Sequence, residues 1–95
     1  MSLAVRRYRV AGRVQGVGFR WYVRERARAL RLKGWVRNES DGVVTVLVSG
    51  DANVLDAFEA ALHDGPQGAV VKSVERQDLT PFDGAGLTAP FQITR

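Results

Sequence analysis

Apolar residues between Arg7 and Ile93 recur at two alternating spacings, every second residue and then every three or four. That switching constrains the fold more than any other feature, because period two builds strands and the longer period builds helices. From Arg7 to Val14, Tyr8 and Val10 lie on one side while Arg7, Arg9 and Ala11 lie on the other. This predicts a half-buried strand. Gly16 and Gly18 then break the pattern. Phe19, Val23, Ala27 and Leu30 fall at helical spacing, which predicts a helix over 19–32 with arginines on its other faces and Gly34 as its stop. Trp35 to Asn38 reads as a second strand, and Glu39 to Gly42 as a hairpin turn on the pair Asp41-Gly42. Val43 to Val48 is apolar on both faces, as a central strand should be.

A second helix follows, with Asp51 as its expected N-cap and Val54, Phe58, Ala61 and Leu62 as its apolar stripe. Gly65-Pro66 ends it. Val70 to Leu79 is a fourth strand, Thr80 to Pro90 a loop, and Phe91 to Ile93 a short last strand. The order is β-α-β-β-α-β plus a terminal strand. It predicts an α+β, ferredoxin-like sandwich: an antiparallel sheet of four main strands and a short C-terminal one, with two helices on one face. Residues 1–95 fit a single domain, whose core is modest because a chain this short leaves much of its surface exposed.

Composition narrows the function. There is no cysteine, which removes disulfides, thiolate nucleophiles and cysteine zinc sites. The first residues hold no apolar run long enough for a signal peptide, and no stretch matches a membrane span, so a cytoplasmic protein without a membrane partner is expected. Fourteen Lys and Arg against ten Asp and Glu give a net charge of +4, which favours anionic ligands.

The stretch that carries chemistry is Gly12-Arg-Val-Gln-Gly-Val-Gly-Phe-Arg20. A strand ends, two glycines follow one residue apart, and a helix begins. Such a turn can aim successive backbone N–H groups into one concavity, a nest for an anion, to which the helix adds its positive end. Arg20, in the first helical turn, adds a bidentate grip on phosphate. By itself a Gly-x-Gly before a helix is equally consistent with a tight turn. The third glycine of a dinucleotide fingerprint is missing, as is the Gly-Lys-Ser/Thr of a nucleotide P-loop.

These residues resemble the acylphosphatase signature, and Gly34-Trp-Val-Arg-Asn38 with Asp41-Gly42-Val43 resembles that family's second signature. Gly65-Pro66 and Phe91-Gln-Ile93 also sit where the family places them, so the resemblance runs from about Tyr8 to Ile93. It implies hydrolysis of small-molecule acyl phosphates to a carboxylate and inorganic phosphate, without metal or other cofactor. It places the phosphate-binding arginine at Arg20 and the water-orienting asparagine at Asn38. Gln15, Gly16, Val17, Gly18 and Phe19 would supply backbone donors, with Arg20 closing the loop. One position departs from the pattern: Glu39 follows Asn38 where members often carry a small hydroxyl. Strand alternation should turn its carboxylate away from the site.

Other residues have plainer readings. His63, the sole histidine, suits the C-terminal end of the second helix. Tyr22 and Trp35 are expected at the core edge or the rim of the site. Arg24, Arg26, Arg28 and Arg31 make a solvated face able to steer anions. The competing function is a basic ferredoxin-like module that binds RNA or another phosphate-bearing partner without catalysis. Against it, Val43 to Val48 has no aromatic residue for base stacking. No nucleic-acid partner is therefore expected, and a monomer is. Domains of this type also open larger carbamoyl-transferring maturation proteins; the length of 95 residues points instead to a free-standing enzyme.

Overall fold

The structure, a computed structural model, describes residues 3–95. The elements are β1 (Leu3–Arg13), α1 (Phe19–Ala29), β2 (Lys33–Asn38), β3 (Val44–Asp51), α2 (Ala52–Asp64), β4 (Val70–Leu79), a 3₁₀ turn (Pro81–Gly84) and β5 (Gln92–Ile93). They form one five-stranded sheet in the order β4-β1-β3-β2-β5. β3 lies at its centre, as its two apolar faces require. β1 runs antiparallel to β3 and β4, and β2 antiparallel to β3. The short fifth strand differs: it joins β2 in parallel, so the sheet is mixed. The chain after β4 crosses from one sheet edge to the other and so arrives running the same way as β2. No helix among the described residues is long and apolar enough to cross a membrane.

The face that meets the helices follows from period two. Tyr8 and Val10 of β1, Val36 of β2, and Val44, Val46 and Val48 of β3 all point into one cluster. Phe19, Val23 and Ala27 of α1 and Leu55, Phe58 and Leu62 of α2 fill it from above. α1 packs on β2 and β5, α2 on β1, β3 and β4, and the two helices touch. Leu55 belongs to the core although the expected stripe omitted it; Val54 and Ala61 are only half-buried. Burying each large apolar side chain contributes about 1.5–3 kcal/mol, which makes Phe19, Phe58 and Phe91 the main anchors. β4 is an edge strand, and its exposed Lys72, Glu75, Arg76 and Asp78 suit that position.

Two local expectations are corrected. α1 ends at Ala29, and the residue that reverses the chain is Arg31, at φ 58°. Its N–H donates to Arg28 O at 3.0 Å and that of Leu32 to Ala27 O at 2.9 Å, a Schellman closure sealed by the buried Leu32. Gly34 instead lies inside β2 at φ 141°, where a Cβ would collide with the carbonyl oxygen of Leu47. Its glycine is demanded by the neighbouring strand. The hairpin turn also shifts: Glu39 N–H donates to Val43 O at 2.8 Å, leaving Ser40, Asp41 and Gly42 as the loop. Asp41 Oδ1 accepts from Val43 N–H at 3.1 Å and Gly42 takes φ 90°, so Asp41 is a turn former. Within Thr80 to Pro90 the chain winds into the 3₁₀ turn, capped reciprocally by Thr80 and Asp83.

Candidate active site

The bend between β1 and α1 is built by backbone angles that only glycine adopts readily. Gly16 and Gly18 both sit at φ 75°, and neither has another atom within 4 Å of where a Cβ would lie. Glycine is required there by conformation, and the space beside it is open. Phe19, buried in the core, fixes the far end of the bend.

α1 starts without a cap. Gly18 has no side chain to cap it, and no acidic residue occupies the first turn. The first amide to bond along the helix is Tyr22 N–H, which donates to Gly18 O at 3.0 Å. The N–H groups of Phe19, Arg20 and Trp21 thus keep their bonding capacity, as the opening of a helix must unless something is supplied to it. α2 solves the same problem internally: Asp51 Oδ1 accepts from Asn53 N–H at 2.9 Å.

The residues that carry these open donors border a cleft of about 360 Å³. Gly16, Gly18, Phe19 and Arg20 line one side and Asn38 another, so residues some twenty positions apart in sequence meet at one place. Val14 and Trp21 border it as well, and Ile93 and Arg95 reach it from the C-terminal strand. Gln15 and Val17 do not line the cleft. Val17 packs half-buried against the core. Gln15 Nε2 donates to Glu39 O at 3.0 Å and to Val43 O at 3.2 Å. Its side chain fastens the loop to the very hairpin that carries Asn38.

Asn38 ends β2 opposite Val44, on the helix-facing side of the sheet. Its Oδ1 is buried and has no hydrogen-bond partner among the described residues. Leaving such an atom unpaired costs on the order of 1–3 kcal/mol, a cost that a bound polar molecule removes. Glu39 behaves as alternation predicts: its carboxylate accepts from Arg37 Nε at 2.7 Å on the opposite face, and no acidic side chain lines the cleft. Ion pairs among the described residues engage Arg6, Arg9, Arg24, Arg37 and Arg76; neither Arg20 nor Arg95 takes part in one.

The aromatic residues distribute differently from expectation. Tyr22 does cover the core edge, donating its hydroxyl to Ala61 O at 3.0 Å. Trp35 lies away from the cleft, on the open sheet face under the Arg37 guanidinium, 4.7 Å from the ring centre. The rim aromatic is Trp21, 58% exposed, with Arg24 stacked on it at 5.5 Å. Trp21, Ile93 and Arg95 were missed at the cleft. Trp21 follows Arg20 in the first helical turn, and that adjacency was a usable signal; the other two depend on where β5 docks.

Comparison with known proteins decides which family the chain belongs to. A family model described as Acylphosphatase matches residues 6–90. The chain belongs to the acylphosphatase family. It is 47% identical over 85 residues to an acylphosphatase of Azoarcus sp. (strain BH72), spanning 90% of this chain and 87% of that one. Among solved structures it resembles the acylphosphatase of Bacillus subtilis at a TM-score of 0.88 and 35% identity, over 99% of this chain and 100% of that one. It also matches full-length HypF at a TM-score of 0.86 and 27% identity, covering 99% of this chain but 12% of that protein. This family member is an enzyme with a ferredoxin-like fold, and acylphosphatases act on acyl phosphates.

Proposed function

We propose that the chain hydrolyses small acyl phosphates at the cleft between the 15–20 loop and Asn38, with Arg20 and Asn38 as its catalytic residues. The observation that carries this is the meeting of open loop donors, an unpaired guanidinium and an unpartnered asparagine in one acid-free cleft. Arg20 and the loop N–H groups hold the phosphoryl oxygens. Asn38 Oδ1 accepts from a water and aims its oxygen at phosphorus, in line with the bond to be broken.

The water oxygen bonds to phosphorus while the bond from phosphorus to the carboxyl oxygen breaks. The electron pair leaves on the carboxylate, and the water proton passes to a phosphoryl oxygen, since a carboxamide is no base. A carboxylate leaves without protonation, so positioning and charge stabilisation meet what phosphoryl transfer needs. The chain works as a single-domain monomer in the cytoplasm and needs no nucleic acid partner. The net charge of +4 and the arginines of α1 draw the dianion inward.

Benzoyl phosphate incubated with the protein and a metal chelator tests the reading. Rapid phosphate release, inhibited competitively by inorganic phosphate, is the expected result. RNA binding at physiological salt without turnover would overturn it in favour of the module.

A further inference from the structure

β5 pairs with β2 in parallel, setting Val36 beside Ile93. Thr94 N–H donates to Val36 O at 2.8 Å, so the ladder runs on past Ile93. Two residues beyond Val36 is Asn38, and two beyond Ile93 is Arg95. The register therefore sets Arg95 alongside Asn38, and alternation turns both to the face of Val36 and Ile93. That face borders the cleft, where Asn38, Ile93, Arg95 and Arg20 converge. Phe91, fully buried against Phe58 at 6.3 Å between ring centres, holds this segment in place. The family match ends at residue 90, so Arg95 lies outside the region that the family assignment describes.

We propose that Arg95 is a second substrate-binding cation, contacting the phosphoryl dianion held by the loop and Arg20. This rests on the acyl phosphate reading of the cleft. Arg20 is half-buried at the start of a helix, whereas Arg95 is exposed two residues past the end of β5. An exposed, solvated guanidinium binds ground state and transition state alike, and such uniform binding lowers KM without raising kcat.

The test compares wild type, Arg95→Gln and Arg95→Lys by steady-state hydrolysis of benzoyl phosphate and calorimetric titration with inorganic phosphate. Arg95→Gln should raise KM and the phosphate Kd by a common factor of roughly three to ten, with kcat within about twofold. Arg95→Lys should recover most of the loss, because a point charge suffices at an exposed rim. The difference should vanish near ~1 M salt, where the screening length falls to ~3 Å. An Arg95→Gln protein with wild-type KM and Kd overturns the proposal, as does one in which only kcat falls. Arg95-dependent phosphate binding without acyl phosphate cleavage supports the contact and refutes the enzymatic reading. A wild-type protein that binds no phosphate refutes both.

Discussion

The two helices begin in opposite ways. α2 opens under the Asp51 carboxylate, and further along it Arg6, Arg76, Asp56, Glu59 and Asp78 form a cross-linked set spanning β1, α2 and β4. Arg6 Nη1 reaches Asp56 at 2.9 Å, and Tyr8 donates its hydroxyl to Glu59 at 2.9 Å. Burial first of all, with Glu59 adding to it, pushes the Tyr8 hydroxyl well above its ordinary pKa, so it stays a donor. α1 opens on bare glycine, with Arg20 near it and in no ion pair. The same chemical groups, helix amides and guanidinium, are satisfied internally on one side and left open on the other. The first arrangement ties β1, α2 and β4 to one another; the second is left open, as the proposed phosphate site requires.

Substitutions on each side should therefore fail in different assays. Arg20→Ala and Asn38→Ala should each lower turnover of benzoyl phosphate by about 10²–10³, the usual loss for one well-placed donor, with circular dichroism unchanged. Arg20→Lys should fail too, because it lacks the bidentate fork. Arg6→Ala should do the reverse. Arg6 is buried, but Asp56 and Asp78 are largely exposed, so the cost falls below that of a fully buried pair, at about 2 kcal/mol. Thermal melting would drop by roughly 8–16 °C for a domain of this size, with kcat of the folded protein unchanged. The distinction between the two sides breaks if Arg6→Ala impairs kcat as much as Arg20→Ala does.

How much of this the sequence showed follows from the range of the interactions. Period two and helical period located both helices and the four long strands, and the valines of β3 placed it centrally. Asp51 was legible as a cap because capping is local. Arg20 and Asn38 were singled out by motif resemblance, and in the structure both line one cleft. What escaped depends on contacts across the fold. Arg31, a non-glycine in the left-handed region, closes α1 because Leu32 gains a buried site, and no local propensity announces that. Gly34 looked like a helix stop but answers to Leu47 on the next strand. Ile93 and Arg95 reach the cleft only because a two-residue strand docks in parallel at the far sheet edge.

Gln15 joins the open side's two halves, and a smaller effect should test it. Gln15→Leu keeps the size of the side chain but removes both donated bonds to Glu39 O and Val43 O. The loop and Asn38 would then lose their shared brace, and kcat should fall about tenfold, the consequence of slight misplacement of reacting groups. In an Asn38→Ala background the same change should cost almost nothing further, because the residue it positions is gone. An undiminished tenfold loss in that background would show that Gln15 acts on the loop alone.

The smallest expected effect concerns acid, and it belongs to the paired side. The hydrogen bond from Arg76 holds the Asp78 carboxyl below its ordinary pKa, with further help from the charges of Arg76 and Arg6. A carboxyl depressed in the folded state stabilises the protein above its unfolded pKa of ~3.9 and loses that contribution as pH falls through the folded value. Stability, read as the urea midpoint, should hence be level from neutral pH down to about pH 5 and decline below about pH 4. Asp78→Asn should sit slightly below wild type on the plateau and converge with it in acid, where the native carboxyl is also protonated. Asp78 is largely exposed, so the gap should shrink with added salt. A gap that persists unchanged to pH 2 would mean that Asp78 contributes through packing, and the charge pairing assigned to this half of the molecule would then rest on Arg6 with Asp56 and Glu59 and on Arg76 with Glu59.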